Sequence, residues 1–136
     1  MAIEFEISEL IPATPKEIYH AWLNSEGHSD MTDSPATASA VVGELFEAWD
    51  GYIQGKNLEL DRERRILQAW RTTEFEESDP DSRLEILLRS RESGTLVTVR
   101  HSNLPDHGMQ YRQGWVDAYF TPMQAYFGPD EAESAA

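Results

Sequence analysis

Two polar side chains, Gln68 and His101, occupy positions at which the sequence predicts the interior of the molecule. Each lies in a segment of alternating polar and apolar residues, and each falls on the apolar face of its segment. A buried amide or imidazole needs hydrogen-bond partners. One interpretation makes these side chains the polar contacts of a bound ligand. The other makes them core residues that bond to each other, to Tyr119 or to a trapped water.

His28, Asp30 and Asp33 offer, over a short segment, the side-chain types that metal ions use. Their spacing does not fit a calcium loop, which needs acids at alternating positions and a final bidentate glutamate. We therefore expect a solvated loop capped by an aspartate, with no metal and no cofactor. The sequence also has no cysteine, no glycine-rich phosphate loop and no serine on a nucleophile elbow. No catalytic residue is assigned, and a pair of carboxylates is the route to enzymatic activity that stays open.

The charge of the chain excludes some partners. Its 136 residues include 11 Lys and Arg against 25 Asp and Glu, a formal net charge of −14. This charge repels nucleic-acid backbones and anionic lipid surfaces, so neither is an expected partner. The N-terminus has no signal-peptide pattern, and no apolar run approaches the roughly 18 residues of a membrane span. We expect one cytoplasmic domain over residues 1–128 and an acidic, flexible tail over residues 129–136.

The acidity has three interpretations: solubility, a docking surface for a basic partner, or adaptation to a salt-rich cytoplasm. The scarcity of lysine, which occurs only as Lys16 and Lys56, favours salt adaptation. That interpretation predicts a melting temperature that rises from low to molar KCl, because salt screens the repulsion between carboxylates. A thermal melt followed across this range of KCl measures the effect, and a flat melting temperature would contradict it.

A strand and a helix open the chain. Residues 3–8 alternate between apolar and polar and predict a half-buried strand. Thr14, Pro15 and Glu17 have the pattern of a capping box with proline at the first helical position. A short helix should therefore run from there to about Asn24, and the polar residues 25–35 should form a loop.

A run of strands joined by turns should follow. Asp50-Gly51 predicts a two-residue hairpin, and Gly55 predicts a bulge in the strand after it. Because the strands are segregated from the helices, the pattern predicts the α+β class. The strands are expected at residues 36–42, 44–49, 52–60, 64–72, 83–89 and 97–101.

The spacing becomes helical from residue 110 onward. Polar positions there step by three or four residues and form one narrow stripe, and nearly everything else between Trp115 and Phe127 is apolar or aromatic. The pattern predicts a long helix that is buried over most of its circumference and kinked at Pro122, which lacks a backbone donor. Its aromatic residues either pack the core or line a cavity, and the spacing favours neither.

Several motifs lie in order between Phe5 and Phe127. They are the segment Gly43–Gly55, Leu58-Glu59-Leu60, Arg65-Ile66-Leu67 with Trp70-Arg71, Gly94-Thr95 with the strand to His101, Arg112-Gln113-Gly114-Trp115, Tyr119-Phe120 and Phe127-Gly128. Together they resemble the AHSA family, relatives of the C-terminal domain of the activator of the heat-shock protein 90 ATPase. That family is similar to the START-like (SRPBCC) superfamily.

The resemblance implies a helix-grip fold, in which a curved antiparallel sheet wraps around a long C-terminal helix and a short helical segment follows the first strand. It also implies a cavity between sheet and helix. Combined with the alternation, this predicts the residues that line the cavity. They are Gln68, Trp70, Ile86, Leu88, Val97, Val99, His101, Trp115, Tyr119 and Met123.

Three functions fit this picture. The first is a non-enzymatic binding module for a small apolar or amphipathic ligand. The second, implied by the resemblance, is a chaperone-interacting domain with a role in the stress response. The third is an enzyme acting on a hydrophobic small molecule, which rests on fold analogy alone. The sequence predicts neither the ligand nor the oligomeric state.

Two departures from the family bear on these functions. The eukaryotic activators carry a separate N-terminal domain that engages the chaperone, and we expect this chain to have no room for one. Many single-domain relatives have a tryptophan and bulky apolar residues after the first helix, where this chain has the polar segment Ser25–Pro35. Either the mouth of the cavity is more open here or this segment folds differently.

Overall fold

A curved, six-stranded antiparallel sheet is the largest element of the computed structural model, which describes residues 3–128. The strand order is β1-β6-β5-β4-β3-β2, and a C-terminal helical segment lies against the sheet. The α+β class and the helix-grip arrangement are thereby confirmed. The elements are β1 (Ile3–Ile11), α1 (Pro15–Trp22), α2 (Ser25–Thr32), β2 (Leu45–Ala48), β3 (Ile53–Asp61), β4 (Arg65–Thr72), β5 (Ser82–Arg91), β6 (Gly94–Leu104), α3 (Gln110–Trp115), the π-helical turn π1 (Val116–Phe120) and α4 (Thr121–Phe127).

The start of α1 is fixed by the predicted capping box. The Thr14 hydroxyl accepts a hydrogen bond from the Glu17 backbone N–H at 3.1 Å, and the Glu17 carboxylate accepts one from the Thr14 backbone N–H at 3.0 Å. These bonds satisfy two donors that a helix N-terminus would otherwise leave unpaired. Pro15 occupies the first turn, where its missing N–H costs nothing.

The loop predicted for residues 25–35 is wrong, because residues Ser25–Thr32 form the helix α2. Asn24 caps it by accepting from the Gly27 N–H at 2.9 Å, and Asp33 ends it in the left-handed conformation with φ 58°. Gly27 lets α2 approach α1, since a Cβ there would lie 2.8 Å from the Cα of Ala21. This polar segment therefore forms a helix that is held by its caps and by packing against α1. The polar composition of residues 25–35 does not predict that packing.

The strand predicted for residues 36–42 is also wrong. Thr37 forms one isolated bridge with Glu47, and the chain then runs without a strand to residue 44. The buried Asn57 side chain holds this loop by donating to the backbone carbonyls of Ser39 at 2.7 Å and Val41 at 3.1 Å. A side chain thus takes the place of the strand pairing that the pattern suggested.

Alternation in β2 allows either of two faces to point inward, and the structure buries Phe46 and Ala48 while Leu45 is 74% exposed. The hairpin after β2 has four residues, Trp49–Tyr52, rather than the predicted two. Trp49 and Asp50 both have positive φ, at 53° and 56°, as does the glycine that follows at 87°. The wider turn takes Trp49 out of the strand register.

The prediction of a bulge at Gly55 is wrong. The register of β3 against β4 shifts between Asn57 and Glu59 instead. Gly55 is required for a different reason: a Cβ there would lie 2.0 Å from the Ala69 carbonyl oxygen and 2.5 Å from the Phe46 ring. Close strand approach, not a bulge, accounts for this glycine.

The strands β4, β5 and β6 follow the predicted alternation. One face of each is buried and forms the floor of the core, because those side chains pack beneath the C-terminal helical segment. The buried residues on this face include Ile66, Gln68, Trp70, Leu84, Ile86, Leu88, Val97, Val99 and His101.

Pro122 lies in the first turn of α4, directly after the π-helical turn π1, so the helical segment is irregular near the position where a kink was predicted. There the Thr121 N–H donates to the Val116 carbonyl, five residues back. Between Trp115 and Phe127 most residues are buried or partly buried, as predicted, but Tyr126, 49% exposed, and Ala125 lie outside the predicted polar stripe and are exposed.

The sequence also predicts a flexible C-terminal tail and no membrane-spanning helix. The tail 129–136 lies outside the described residues. Within residues 3–128, no helix has the length and apolar character needed to cross a membrane.

Candidate functional site

A pocket of about 350 Å³ lies between the C-terminal helical segment and the β2–β3 end of the sheet. We call it the aromatic pocket, because most of its wall is formed by aromatic rings. Four of its residues, Trp49, Tyr52, Gly114 and Ala118, are only partly buried, so the pocket opens to the surface. Its lining residues are Trp49, Tyr52, Ile53, Trp70, Tyr111, Gly114, Trp115, Ala118 and Tyr119.

The rings of the wall hold one another in place. The Trp70 ring meets that of Tyr111 edge-on with centroids 5.0 Å apart, and that of Trp115 at 6.0 Å. The Trp115 and Tyr119 centroids are 4.7 Å apart. Such contacts stabilise beyond simple burial and fix the orientation of each ring. The wall is therefore preformed.

Gly114 and Ala118 open the helical side of the pocket. Gly114 lies in α3 and Ala118 in π1. Because they are four residues apart, they lie on the same helical face. Space next to Gly114 is open: a Cβ built there meets no atom within 4 Å. A larger side chain at either position would occupy the pocket.

The buried side chain of His28 forms a hydrogen bond with the Tyr119 hydroxyl. His28 Nδ1 lies 2.9 Å from the Trp22 carbonyl oxygen, which only accepts, so Nδ1 carries the hydrogen. Its Nε2 then accepts from the Tyr119 hydroxyl at 2.8 Å. Burial lowers the His28 pKa to about 4 and raises the pKa of Tyr119. The expectation of a solvated loop around His28, Asp30 and Asp33 is wrong, because His28 is 3% exposed and both its nitrogens bind protein groups.

The predicted residue His101 sits in a closed hydrogen-bond chain. The Trp115 indole N–H donates to His101 Nδ1 at 3.1 Å, so His101 Nε2 carries the hydrogen and donates to Ser82 Oγ at 2.9 Å. Ser82 in turn donates to the Trp70 carbonyl at 2.6 Å. Burial lowers the His101 pKa to about 3, so the ring is neutral. This chain fixes the Trp115 indole and the His101 ring, and the His101 ring in turn packs edge-on against the Trp70 ring with centroids 4.4 Å apart.

Among the buried side-chain polar atoms of residues 3–128, Gln68 Oε1 and Trp49 Nε1 form no hydrogen bond of ordinary geometry, although a longer contact from the Trp49 indole to the Tyr119 hydroxyl lowers the pKa of Tyr119. The Gln68 amide nitrogen donates to the Asn57 side-chain oxygen at 2.8 Å, away from the pocket. Trp49, in contrast, lines the pocket. Unpaired buried atoms are rare in native proteins and call for an explanation.

A polar clasp closes one side of the pocket mouth. The Tyr52 hydroxyl and the Gln110 amide, the latter at 3.2 Å, both donate to the carboxylate of Glu74. These bonds lower the pKa of Glu74, the one from Tyr52 having the larger effect. The clasp ties the β2–β3 turn to the start of α3.

A second, larger concavity of about 510 Å³ lies on the other face of the sheet. Two of the three arginines that line it are engaged in ion pairs, Arg65 with Glu59 and Glu85, and Arg100 with Glu6 and Glu85. Surface ion pairs of this kind satisfy one another and contribute little free energy. The aromatic pocket is therefore the stronger candidate for a site that binds a molecule.

A comparison with known families agrees with this architecture. The family described as "Activator of Hsp90 ATPase homolog 1-like protein" matches residues 12–128. The chain belongs to this family. The resemblance seen in the sequence motifs is confirmed.

Relatives within the family are distant in sequence and close in fold. Human "Activator of 90 kDa heat shock protein ATPase homolog 1" is 27% identical over 123 residues, covering 90% of this chain but 36% of that protein. The chain thus spans about a third of the length of such curated relatives. The crystal structure of an HSP90 activator from Plasmodium falciparum superimposes with TM-score 0.82 at 21% identity, covering 93% of this chain and 96% of that one. The Aha1 dimer from Colwellia psychrerythraea gives 0.77 at 19% identity, covering 93% and 97%.

In this family member the predicted site residues fall into three groups. Trp70, Trp115 and Tyr119 line the aromatic pocket. Gln68 and His101 lie in the hydrogen-bond networks described above. The other five pack the core without lining the pocket, and they are Ile86, Leu88, Val97, Val99 and Met123.

Sequence reasoning missed several residues of the pocket. Trp49 and Tyr52 belong to a turn that was expected to be shorter, and Ile53 follows them. Gly114 was noted only as part of the Arg-Gln-Gly-Trp motif. A glycine one residue before a buried tryptophan, inside a helical pattern, is the signal that points to it. Tyr111 and Ala118 complete the set.

Proposed function

We propose that this domain is a non-enzymatic binding module that holds a small apolar or amphipathic molecule in the aromatic pocket. The size of the pocket supports this, since 350 Å³ lies within the range of roughly 300–1,000 Å³ typical of ligand sites. No residue of its lining carries a charge, as expected for an apolar ligand. We place this function in the cytoplasm.

The observation that carries the proposal is Gly114. A glycine inside a helix destabilises it by about 1 kcal/mol relative to alanine. Its φ is not positive, and no neighbouring atom lies within 4 Å of the place its Cβ would occupy. Neither backbone conformation nor packing therefore requires glycine. Room in the pocket is what glycine provides at this position.

The polar groups around the pocket support binding rather than catalysis. The two buried histidines near it, His28 and His101, each use both ring nitrogens within the protein. Their lowered pKa values, about 4 and about 3, make them weak bases near neutral pH. They serve to orient Tyr119, Trp70 and Trp115.

Native mass spectrometry of the purified protein tests the proposal. We expect a co-purifying small molecule, seen as a mass above that of the chain that is lost on collisional activation. If the protein is purified empty, a screen of lipids and aromatic metabolites should yield binders that quench its tryptophan fluorescence. A protein that is empty and also binds nothing in such a screen would contradict the proposal.

A second candidate function is contact with a chaperone of the 90 kDa heat-shock class, which would place the domain in the stress response. The named function of the curated relatives favours it. So does a group of exposed apolar side chains before and at the start of β2, where Val41 is 56%, Val42 57% and Leu45 74% exposed. Contiguous exposed apolar residues commonly mark protein contacts.

A pull-down with the chaperone at low salt tests this second function. The wild-type chain should recover the chaperone, and Leu45→Ser with Val42→Ser should recover less. Leu10→Ser, which changes another exposed apolar residue on β1, is the matched control and should behave like wild type. Recovery of nothing by the wild-type chain would end the idea.

A further inference from the structure

We propose that the aromatic pocket binds the head of an amphipathic molecule, and that this head is a fully alkylated ammonium cation of the trimethylammonium type. The inference rests on the proposed binding function and names its ligand class. Three features of the described residues lead to it: a wall of rings in several orientations, polar groups of the wall that are bonded within the protein, and negative charge around the mouth.

The rings of the wall change orientation from one to the next. The ring planes of Tyr119 and Trp115 are tilted by 40°, and those of Trp115 and Trp70 by 36°. Tyr111 then meets Trp70 at 81°. Because these four rings line one space, they do not form the parallel pair between which a flat molecule stacks. A rounded group such as trimethylammonium can contact several of them at once.

The polar groups of this wall are largely occupied. All three tyrosine hydroxyls are bonded within the protein, and their partners are the carboxylate of Glu74, Oγ1 of Thr72 and Nε2 of His28. The Trp115 indole N–H donates to His101. A primary ammonium carries three donors that need acceptors, and no carboxylate lines the pocket to supply them. A fully alkylated ammonium has no N–H and needs no acceptor.

Aromatic faces supply the attraction that such a cation needs. A cation within about 6 Å of a ring centroid is stabilised by the ring quadrupole, most strongly by tryptophan, and fully alkylated ammonium groups are recognised by clusters of such rings. The wall contains Trp49, Trp70 and Trp115. The Tyr52 hydroxyl donates to Glu74, and donation to a carboxylate polarises the phenol and makes its ring more electron-rich.

The charges around the mouth favour a cation over an anion or an uncharged group. Glu74 stands at the mouth, and the hydrogen bonds that it accepts hold its pKa below the usual value, so it is ionised at neutral pH. Asp50 follows Trp49 in the turn, and no lysine or arginine lines the pocket. The whole chain carries a net charge of −14. Such a field concentrates cations near the mouth.

Choline and 3,3-dimethylbutan-1-ol test the assignment, because they have the same shape and differ in a quaternary nitrogen against a quaternary carbon. In titrations at fixed KCl followed by tryptophan fluorescence, wild type should bind choline about 10- to 30-fold more tightly than its carbon analogue. Gly114→Leu, which fills the pocket, should lose this preference. A cation held only by the acidic surface would bind the variant as tightly as wild type.

The carboxylate at the mouth is tested separately. Glu74→Gln should weaken choline binding several-fold and leave the binding of 3,3-dimethylbutan-1-ol unchanged. Glu77→Gln removes the same charge from another exposed position of the β4–β5 loop and is the matched control, which should behave like wild type.

A measurement on the unaltered chain covers the case in which Gly114→Leu does not fold. Nuclear Overhauser effects from the choline methyl groups to the ring protons of Trp115 should place the cation in the pocket. Dodecylphosphocholine, used below its micelle-forming concentration, then distinguishes two sources of the head. Tighter binding than choline indicates a lipid headgroup, weaker binding indicates a free solute, and both support the assignment.

Three results overturn the assignment: equal affinity for choline and 3,3-dimethylbutan-1-ol, a preference that survives in Gly114→Leu, or bound choline without contacts to Trp115. If naphthalene still binds in any of these cases, the binding function stands. Failure of choline, its carbon analogue and naphthalene all to bind counts against the binding function itself.

Discussion

Gly114→Leu should weaken the binding of aromatic probes by one to two orders of magnitude without unfolding the domain. The leucine side chain would extend into the open space beside Gly114 and occupy volume that a ligand needs. Overpacking of about 1–3 kcal/mol in the bound state corresponds to a loss of roughly 5- to 150-fold in affinity. Titration with an uncharged aromatic probe such as naphthalene, followed by tryptophan fluorescence, measures this loss.

Gly114→Ala separates the two roles of the position. Alanine should stabilise the helix by about 1 kcal/mol and raise the melting temperature by a few degrees. It should weaken probe binding only partly, because one methyl group fills little of the pocket. Ala125→Leu, on an exposed position of α4, is the matched control and should change neither property by much.

A substitution that merely disturbed packing would lower stability and binding together. Gly114→Ala should instead raise the melting temperature while it weakens probe binding. If Gly114→Ala lowers the melting temperature, the space beside Gly114 is not open and the main argument for a ligand fails. If Gly114→Leu binds the probe as tightly as wild type, the ligand does not occupy the aromatic pocket.

The sequence predicts best those elements whose pattern is set by a single boundary between core and solvent. β4, β5 and β6 each have one face fully packed under the helical segment and another that is mostly exposed apart from residues such as Leu67 and Thr98, so alternation places Trp70, Ile86 and Val97 correctly. The family motifs extend this to the whole fold. The helix α2 escapes the same reasoning, because its polar side chains are buried by specific partners, such as Tyr119 for His28, that only the folded chain brings together.

The pocket was harder to predict than the fold, for a related reason. Alternation identifies which side chains face inward, but it does not tell whether they fill the space they face. Under the centre of the helix, residues such as Ile86, Val99 and Met123 fill it. At the β2–β3 end the space stays open because Gly114 is small and the four-residue turn moves Trp49 to the rim. Both facts depend on tertiary geometry that no local pattern contains.

Lowering the pH from 6.5 to 5 is expected to destabilise this domain strongly, although most of its carboxylates take up protons only at lower pH. His28 and His101 are neutral when folded, with pKa values of about 4 and about 3, and have a pKa of 6.5 when exposed. The unfolded chain therefore binds more protons than the folded chain below pH 6.5, so stability is complete above that pH and falls as the pH drops toward 4. At pH 5 the two histidines together should cost about 4 kcal/mol.

Urea unfolding at fixed KCl, compared between pH 7.5 and pH 5, measures this loss. His28→Gln and His101→Gln should each reduce the loss by about half, although both lower the stability at pH 7.5 because they disturb buried hydrogen bonds. His107→Gln changes an exposed histidine and should retain the full loss. Should either buried variant be unfolded at pH 7.5, histidine ring resonances of the wild type followed down to pH 5 give the same information, because neither buried ring should titrate in that range.

The measurement is confined to pH 6.5–5 because at lower pH a second effect changes the stability of the folded state in the opposite direction. With a net charge of −14, protonation of carboxylates below about pH 4.5 relieves self-repulsion and stabilises the folded state. Between pH 6.5 and 5 most carboxylates keep their charge, so the loss there comes mainly from the buried histidines; protonation of His20, which pairs with Glu63, acts in the opposite direction. A free energy of unfolding that is flat across this window would mean that solvent reaches His28 and His101. The hydrogen bonds that orient Tyr119 and Trp115 would then be too weak to preform the aromatic pocket.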